Sequence, residues 1–358
     1  MLHTNIWIIA NSVASKQARK RAHREEINLK IGIIGSGSII EVFMQAAFKV
    51  KGVEILAVYS RNKESERMEE LKSKYQLPFV YDDLKEMLAN PKVDCIYVAS
   101  PNSLHFAHSL MALEADKHVI CEKPFTTTGA EARKLLATAK EKDLMLFEGI
   151  TTIHMPNYKL VKELLPTLGD VHIAQLNFSQ YSNRYDKLLL GEKPNVFNPA
   201  FSGGCLQDLN IYNVHFMYGL FGKPDFAQYF PNFHSVGVDT SGILILQYPN
   251  FNASLVSSKD TVGENFVYLQ GEKGYIFLSS SGSVCRHVEV HIKGEEKIIY
   301  NEQKEENWLY YELKEMKKLF QEKDYATCYQ WAEYSVSVIS LVEETRKKAG
   351  IIFPADED

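Results

Sequence analysis

Cysteine is scarce. The five in this 358-residue chain, Cys95, Cys121, Cys205, Cys285 and Cys328, lie far apart, with no CxxC and no Cys/His spacing that holds zinc. That excludes a disulfide framework and a metal knuckle, so no metal is expected and a reducing, cytoplasmic setting fits. Long apolar runs are missing as well. None approaches the ~18 residues that cross a bilayer, so no membrane partner is expected. Positive charge is not in excess: a net charge of −5 and a pI near 6.2 leave no footprint for nucleic acid. Internal repeats and low-complexity tracts are absent. The first residues, MLHTNIWIIANSVASKQARKRAHREEIN, hold one short apolar stretch, Ile6 to Ala10, followed by the basic cluster Lys16 to Arg24. A signal peptide has the opposite order. Residues 1–28 are expected to be a poorly ordered extension.

What remains is ordinary globular composition, 45% hydrophobic and 24% charged, on a length that suits about two domains. From Leu29 to about Gly149, short apolar runs (LKIGIIG, VEILAVYS, DCIYVAS, HVICEKP, LMLFEG) alternate with helical stretches. That alternation predicts a parallel sheet covered on both faces. From residue 150 the pattern changes. VHIAQLNFSQYSN, GILILQYPNFNASLVSS, NFVYLQGEKGYIFLSS and VEVHIKGEEKIIYN read as strands with tight turns, hence an antiparallel sheet. Two helical stretches, EENWLYYELKEMKKLFQ and CYQWAEYSVSVISLVEETRKKAG, close the chain. The fold class is α/β: a nucleotide-type domain over 29–149, then an α+β domain over 150–358 with a large open, mainly antiparallel sheet. The cleft between the two is the expected ligand site.

Three stretches carry chemistry. In GIIGSGSII, Gly35 permits a tight turn and Gly37 lets the backbone approach a pyrophosphate at a helix N-terminus. The third fingerprint position is Ile40 where glycine or alanine is usual. The second strand ends in Ser60, Arg61 and Asn62, with no carboxylate for a ribose 2′-hydroxyl. Serine and arginine suit a 2′-phosphate, so NADP(H) is the preferred cofactor and NAD(H) the alternative. In VICEKPFT, Lys123 stands at the carboxyl end of a parallel strand, facing the crevice, before a proline that suits a cis bond. In GGCLQDLNIYNVH, Asp208, Tyr212 and His215 fall at i, i+4 and i+7, on one helical face bordered by apolar residues. His215 reads as a structural histidine and Cys205 as packing.

With ASPNSLH (Ala99 to His105), these motifs resemble the Gfo/Idh/MocA oxidoreductases, which include glucose–fructose oxidoreductase, inositol dehydrogenase and dimeric dihydrodiol dehydrogenase. The resemblance runs from about Leu29 to the C-terminus. It implies a Rossmann domain binding a nicotinamide dinucleotide and a second domain for substrate binding and oligomerisation, with the last helices packing back on the first domain. It implies hydride transfer on a sugar, a polyol or a related cyclic alcohol or ketone, in a homodimer paired through the open sheet. The cofactor-binding set it gives is Gly35, Ser36, Gly37, Ser38, Ile39, Ser60, Arg61, Ser100, Pro101, Asn102, His105, Glu122 and Lys123. Lys123, Asp208 and Tyr212 form the catalytic set. Thr151 and His154 join those three as substrate contacts. Many members carry histidine where this chain has Tyr212; the tyrosine points to the subgroup of dihydrodiol dehydrogenase and glucose–fructose oxidoreductase. Asn210 stands where glycine is common, and Thr151, Thr152, Ile153 and His154 replace a stretch that often carries an aromatic and an arginine. Tyrosine is a poor base at its ordinary pKa of about 10, and the Lys123 ammonium is expected to favour the phenolate. The alternative reading is a non-catalytic dinucleotide-binding sensor, which would have no need of that proton relay.

Overall fold

The computed structural model describes residues 28–357; apart from Asn28, the extension expected over residues 1–28 lies outside the described residues. Strands β1 (Leu29–Ile34), β2 (Val53–Tyr59), β3 (Phe79–Tyr81), β4 (Cys95–Val98), β5 (His118–Glu122) and β6 (Leu146–Gly149) form one parallel sheet in the order β3-β2-β1-β4-β5-β6. All four residues of β4 and five of the six in β1 are buried, as strands with helices on both faces require. The strand order reverses between β1 and β4, and a crevice opens there beyond the carboxyl ends. The covering helices are α1 (Ser38–Lys49), α2 (Glu66–Tyr75), α3 (Leu84–Ala89), α4 (His105–Glu114) and α5 (Gly129–Glu141). In α1 the buried Ile40, Phe43, Met44 and Ala47 follow the i, i+3, i+4, i+7 spacing of a core-facing stripe. β3 has no counterpart among the expected strands. It is three residues long and none is fully buried, so it leaves no apolar run to read.

The second half adds α6 (Pro156–Leu164), β7 (Val171–Ser179), α7 (Asn183–Leu189), α8 (Ile211–Phe221) and seven further strands. These are β8 (Phe226–Phe233), β9 (Asp239–Gln247), β10 (Asn252–Ser258), β11 (Phe266–Gly271), β12 (Gly274–Leu278), β13 (Val288–Ile292) and β14 (Ile298–Tyr300). The sheet runs β14-β13-β12-β11-β7-β10-β9-β8, and only the β7–β10 pair is parallel. β8 was also unread, because its Phe226 and Phe230 point outward and invert the usual polar-out alternation. Leu176, Leu244, Leu255 and Leu269 line the inner face and are buried.

Helices α9 (Leu309–Glu322) and α10 (Tyr325–Lys348) return to the first domain. Leu309, Leu313, Met316 and Phe320 of α9 share a core with Phe43, Tyr97 and Phe147. Val338, Ile339 and Val342 of α10 join Leu135 and Leu136 of α5 and the inner sheet face in another. The two domains are thus held by common cores, and the cleft between them has fixed walls.

Candidate active site in the interdomain cleft

A cleft of about 1150 Å³ lies at the β1/β4 crevice and is lined from both domains. Gly35 has φ +136°, and a Cβ there would meet the Ala99 carbonyl oxygen at 2.5 Å, so both conformation and space demand glycine. Gly37 differs. Its φ is −70°, it caps α1 without a side-chain hydrogen bond, and no atom lies within 4 Å of where a Cβ would stand. A side chain there would fill only the cleft. The space beside a helix N-terminus with uncapped N–H groups fits a pyrophosphate. Ser36, Ser38 and Ile39 line the same end, and Ser60 and Arg61 line the wall beyond β2.

On the opposite side stand Ser100, Pro101, Asn102 and His105. His105 is 1% exposed, with Nδ1 at 2.8 Å from the Pro124 carbonyl and Nε2 at 2.9 Å from the Ser100 carbonyl. It therefore joins two cleft loops and presents little surface of its own. The Asn102 amide donates to the Ser202 carbonyl at 3.1 Å and ties the first domain to the second. These residues, with the glycine cradle, fit a dinucleotide along the crevice.

Lys123 precedes a cis proline and crosses to the other domain. Its Nζ donates to the Asp208 carbonyl at 2.9 Å and to Asp208 Oδ1 at 2.8 Å, leaving one of three N–H groups. Lys259 Nζ donates to Asp208 Oδ2. One carboxylate thus holds two ammonium groups. Burial opposes the charge on Lys123 and on Asp208. For Lys123 the charge and hydrogen bond of Asp208, with the other acidic groups around it, together outweigh burial and lift its pKa; for Asp208 the charges and hydrogen bonds of Lys123 and Lys259 together outweigh it and hold the carboxyl well below its usual range.

Tyr212 lies beside this group, with Lys123 Nζ 4.8 Å from its ring centroid. Its ring packs on Phe178, Cys205 and Leu209, while its hydroxyl has no hydrogen-bond partner among the described residues. The expected phenolate does not hold. Burial pushes the Tyr212 pKa up, the Lys123 charge pulls it down, and the charges of Glu122, Asp208 and Glu312 push it up again; the balance is upward. Burial, with those three acids, outweighs the pull of the Lys123 ammonium, and Tyr212 is a neutral phenol at neutral pH. Behind Lys123, the buried Glu122 accepts from the Tyr97 hydroxyl, and burial raises its pKa to about 7.

The segment carrying Asp208 and Tyr212 is not the uninterrupted α-helix that the spacing predicts. Leu206–Asn210 form a π turn that runs into α8, with the Ile211 N–H reaching the Leu206 carbonyl. Single π turns inside helices cluster at functional sites, because the wider turn re-aims side chains. Asp239 pins the start by accepting from the Leu206 N–H at 2.7 Å. Gly204, at φ +121°, leaves room for that carboxylate, and Gly203 for the Val196 carbonyl, which a Cβ would meet at 2.6 Å. Asn210, unexplained in the sequence, donates from its buried amide to the Leu255 carbonyl at 3.1 Å and fastens the turn to β10.

Two expected substrate contacts are corrected. Thr151 and His154 do not line the cleft. Thr151 donates to the Ser283 carbonyl at 2.8 Å and stands behind that cleft residue. His154 is 3% exposed, meets Glu315 at 2.7 Å and lines a separate pocket of about 530 Å³ beside Trp331. The reason is local: after the edge strand β6 the chain enters a 3-10 turn, Thr152–His154, that packs against α8 and α9. His215 is fully buried, with Nδ1 3.1 Å from the Tyr334 hydroxyl and Nε2 3.5 Å from Glu148, away from the cleft. Sequence reasoning missed Lys259, Phe178 and Trp308, which also line the cleft.

Comparison with known proteins agrees with this geometry. Residues 29–150 match the oxidoreductase family with an NAD-binding Rossmann fold (GFO_IDH_MocA), and residues 158–277 match the GFO/IDH/MocA C-terminal domain. The chain is 32% identical over 337 residues to scyllo-inositol 2-dehydrogenase (NADP(+)) IolU of Bacillus subtilis (strain 168), covering 92% of this chain and 99% of that one. It is 27% identical over 341 residues to trans-1,2-dihydrobenzene-1,2-diol dehydrogenase of Mus musculus, again covering 92% and 99%. The fold is shared with KijD10, a 3-ketoreductase from Actinomadura kijaniata in a complex with NADP and TDP-benzene, at TM-score 0.77 and 20% identity, covering 89% and 97%. Among the described residues no helix is long and apolar enough to cross a membrane. The chain belongs to the Gfo/Idh/MocA family of oxidoreductases.

Proposed function

We propose that this protein is an NADP(H)-preferring oxidoreductase acting on the CH–OH or C=O group of a sugar, polyol or related cyclic alcohol. One observation carries the reading: the unpartnered Tyr212 hydroxyl and the last N–H of Lys123 belong to the same cleft as the glycine cradle. The bound nicotinamide supplies or accepts the hydride. In reduction, Tyr212 donates its proton to the carbonyl oxygen while Lys123 stabilises the developing negative charge. In oxidation the same path runs in reverse: Tyr212 first gives its proton to solvent, and the phenolate so formed takes the alcohol proton as hydride leaves for the nicotinamide. The relatives named for scyllo-inositol, dihydrodiols and a ketone share this chemistry and differ in substrate. The test is turnover on a panel of aldoses, inositols, dihydrodiols and dicarbonyls with each cofactor. Tight cofactor binding without turnover on any of them would favour a sensor.

Arg61 and Ser60, with no carboxylate beside them, support the cofactor preference. Losing a charge-assisted hydrogen bond costs about 1.5–3 kcal/mol. Arg61→Ala is therefore expected to lower kcat/KM for NADPH by roughly tenfold to hundredfold and leave NADH nearly unchanged. Equal effects on both cofactors would contradict a 2′-phosphate role. Free thiols at all five cysteines accord with a cytoplasmic location.

The outer sheet face supports a homodimer. Ile173, Phe226, Phe230 and Ile243 are each 43–52% exposed there, and Phe230 and Ile243 are cross-strand partners. A contiguous exposed apolar face is typical of an interface. The parent is expected to sediment as a dimer, and Phe230→Asp with Ile243→Asp as a monomer. A monomeric parent at micromolar concentration would refute this.

A further inference from the structure

We propose that Lys259 is a positioning residue for catalysis, acting through Asp208; this rests on the oxidoreductase reading above. Lys259 follows β10 and is 5% exposed. Its backbone is anchored on both sides: its N–H donates to the Thr240 carbonyl at 2.8 Å, and its carbonyl accepts from the Ser182 N–H at 2.9 Å. The ammonium is therefore delivered by rigid elements. It lines the cleft and donates to Asp208 Oδ2, while Lys123 holds Oδ1 and the carbonyl of the same residue.

This arrangement does two things that a simple Lys123–Asp208 pair does not. First, it fixes the rotation of the carboxylate. With both oxygens engaged from opposite domains, Asp208 cannot turn, and Lys123 is held where its remaining N–H serves the reacting oxygen. Second, it sets the charge. A lone Lys123–Asp208 pair is neutral. With Lys259 taking part of the Asp208 charge, Lys123 is no longer fully neutralised, and an alkoxide developing beside Tyr212 is stabilised in a poorly solvated place. Charges that act on the transition state and not on the bound substrate change kcat and leave KM alone. Aligned and not fully neutralised, Lys123 favours the charged transition state in either direction.

The test is a double-mutant cycle in steady-state kinetics on the full chain, with NADPH affinity by fluorescence as the check on folding. Lys259→Met is expected to lower kcat by roughly tenfold to hundredfold, with KM and NADPH affinity within threefold. Lys259→Arg is expected to recover most of the loss, because the charge and a donor return. In an Asp208→Asn background, Lys259→Met is expected to cost little more, since the residue through which it acts is already gone. A kcat for Lys259→Met within threefold of the parent would overturn the proposal while leaving the oxidoreductase reading intact. So would losses that multiply independently in the double variant. A parent without turnover on the whole panel would overturn both. If Lys259→Met fails to bind NADPH, Lys259→Gln replaces it, and failure of both with Lys259→Arg intact would assign the residue to folding and overturn the proposal.

Discussion

Tyr212→Phe should lower kcat by about 10²–10⁴-fold, the range for removing a positioned proton donor, with NADPH affinity unchanged. The expectation follows from what the hydroxyl does in the folded protein. It makes no hydrogen bond to any described residue, so its loss breaks nothing structural, and the phenyl ring keeps its packing on Phe178 and Leu209. Only the proton disappears. Lys123→Met should cause a loss at least as large, since it removes the charge beside the reacting oxygen and frees Asp208 from one partner. Single-turnover rates with saturating cofactor are the measurement. Rates for both variants within threefold of the parent would remove Tyr212 and Lys123 from the mechanism. A further consequence concerns pH. Because the phenol is held above its ordinary pKa, it remains a donor through pH 10. Reduction should therefore show no loss from phenol ionisation in the range where free tyrosine titrates. Oxidation needs the phenolate, so its rate should still be rising with pH at pH 10; a plateau reached near neutral pH would show the lowered phenol pKa that the sequence alone suggests.

That reversal shows where sequence reading stops. Strand ends and glycine turns are local features, so residue identity and spacing were enough to place Gly35, Gly37 and Lys123 at the crevice; Asp208 and Tyr212 joined them only through the resemblance, and all five line one cleft. The parallel sheet of the first domain was legible for the same reason. Partners distant in the chain were not. Lys259 lies 51 residues from Asp208 and sits in an unremarkable strand-end run, so nothing nearby marks it as a site residue. Burial of the phenol, which sets its pKa, was equally out of reach of the sequence. The π turn at Leu206–Asn210 was invisible because its apolar spacing is that of an α-helix; what widens it are contacts from Asp239 and β10. Thr151 and His154 were misplaced because position after a strand of the first domain does not reveal which way the following turn folds. β3 and β8 escaped because one buries too little and the other exposes aromatics.

The largest stability effect is expected at the other end of the molecule, from Asp356→Ala. Arg346 of α10 is fully buried, and its guanidinium meets Asp356 through two parallel bonds, at 2.5 and 2.7 Å. The same group donates to the Ile351 carbonyl at 3.1 Å and to the Thr127 carbonyl at 3.1 Å, over the ring of Phe353. Removing one partner of such a pair leaves a buried charge uncompensated, which costs about 3–5 kcal/mol. Lys347, which also reaches Asp356 at 3.1 Å, is a second cation and offers Arg346 no replacement acceptor. The sign of the pH effect is fixed too. Burial raises the Asp356 pKa, but the hydrogen bonds from Arg346, the Phe353 N–H and Lys347, with the Arg346 charge, together outweigh it, and the folded value lies below the unfolded one. The contribution is therefore complete above the ordinary carboxylate pKa and is lost as pH falls through the lower folded value. Urea unfolding of parent and variant at pH 7 and at pH 3 measures both. A difference below 1 kcal/mol at pH 7 would show that the clamp is dispensable. The clamp also bears on catalysis. Thr127 lies four residues after Lys123, and its hydroxyl meets Ser202 at 2.8 Å, the residue whose carbonyl Asn102 holds. Loosening Arg346 should thus weaken the support of the Lys123 turn, so Asp356→Ala is expected to lose activity on warming before the rest of the chain unfolds.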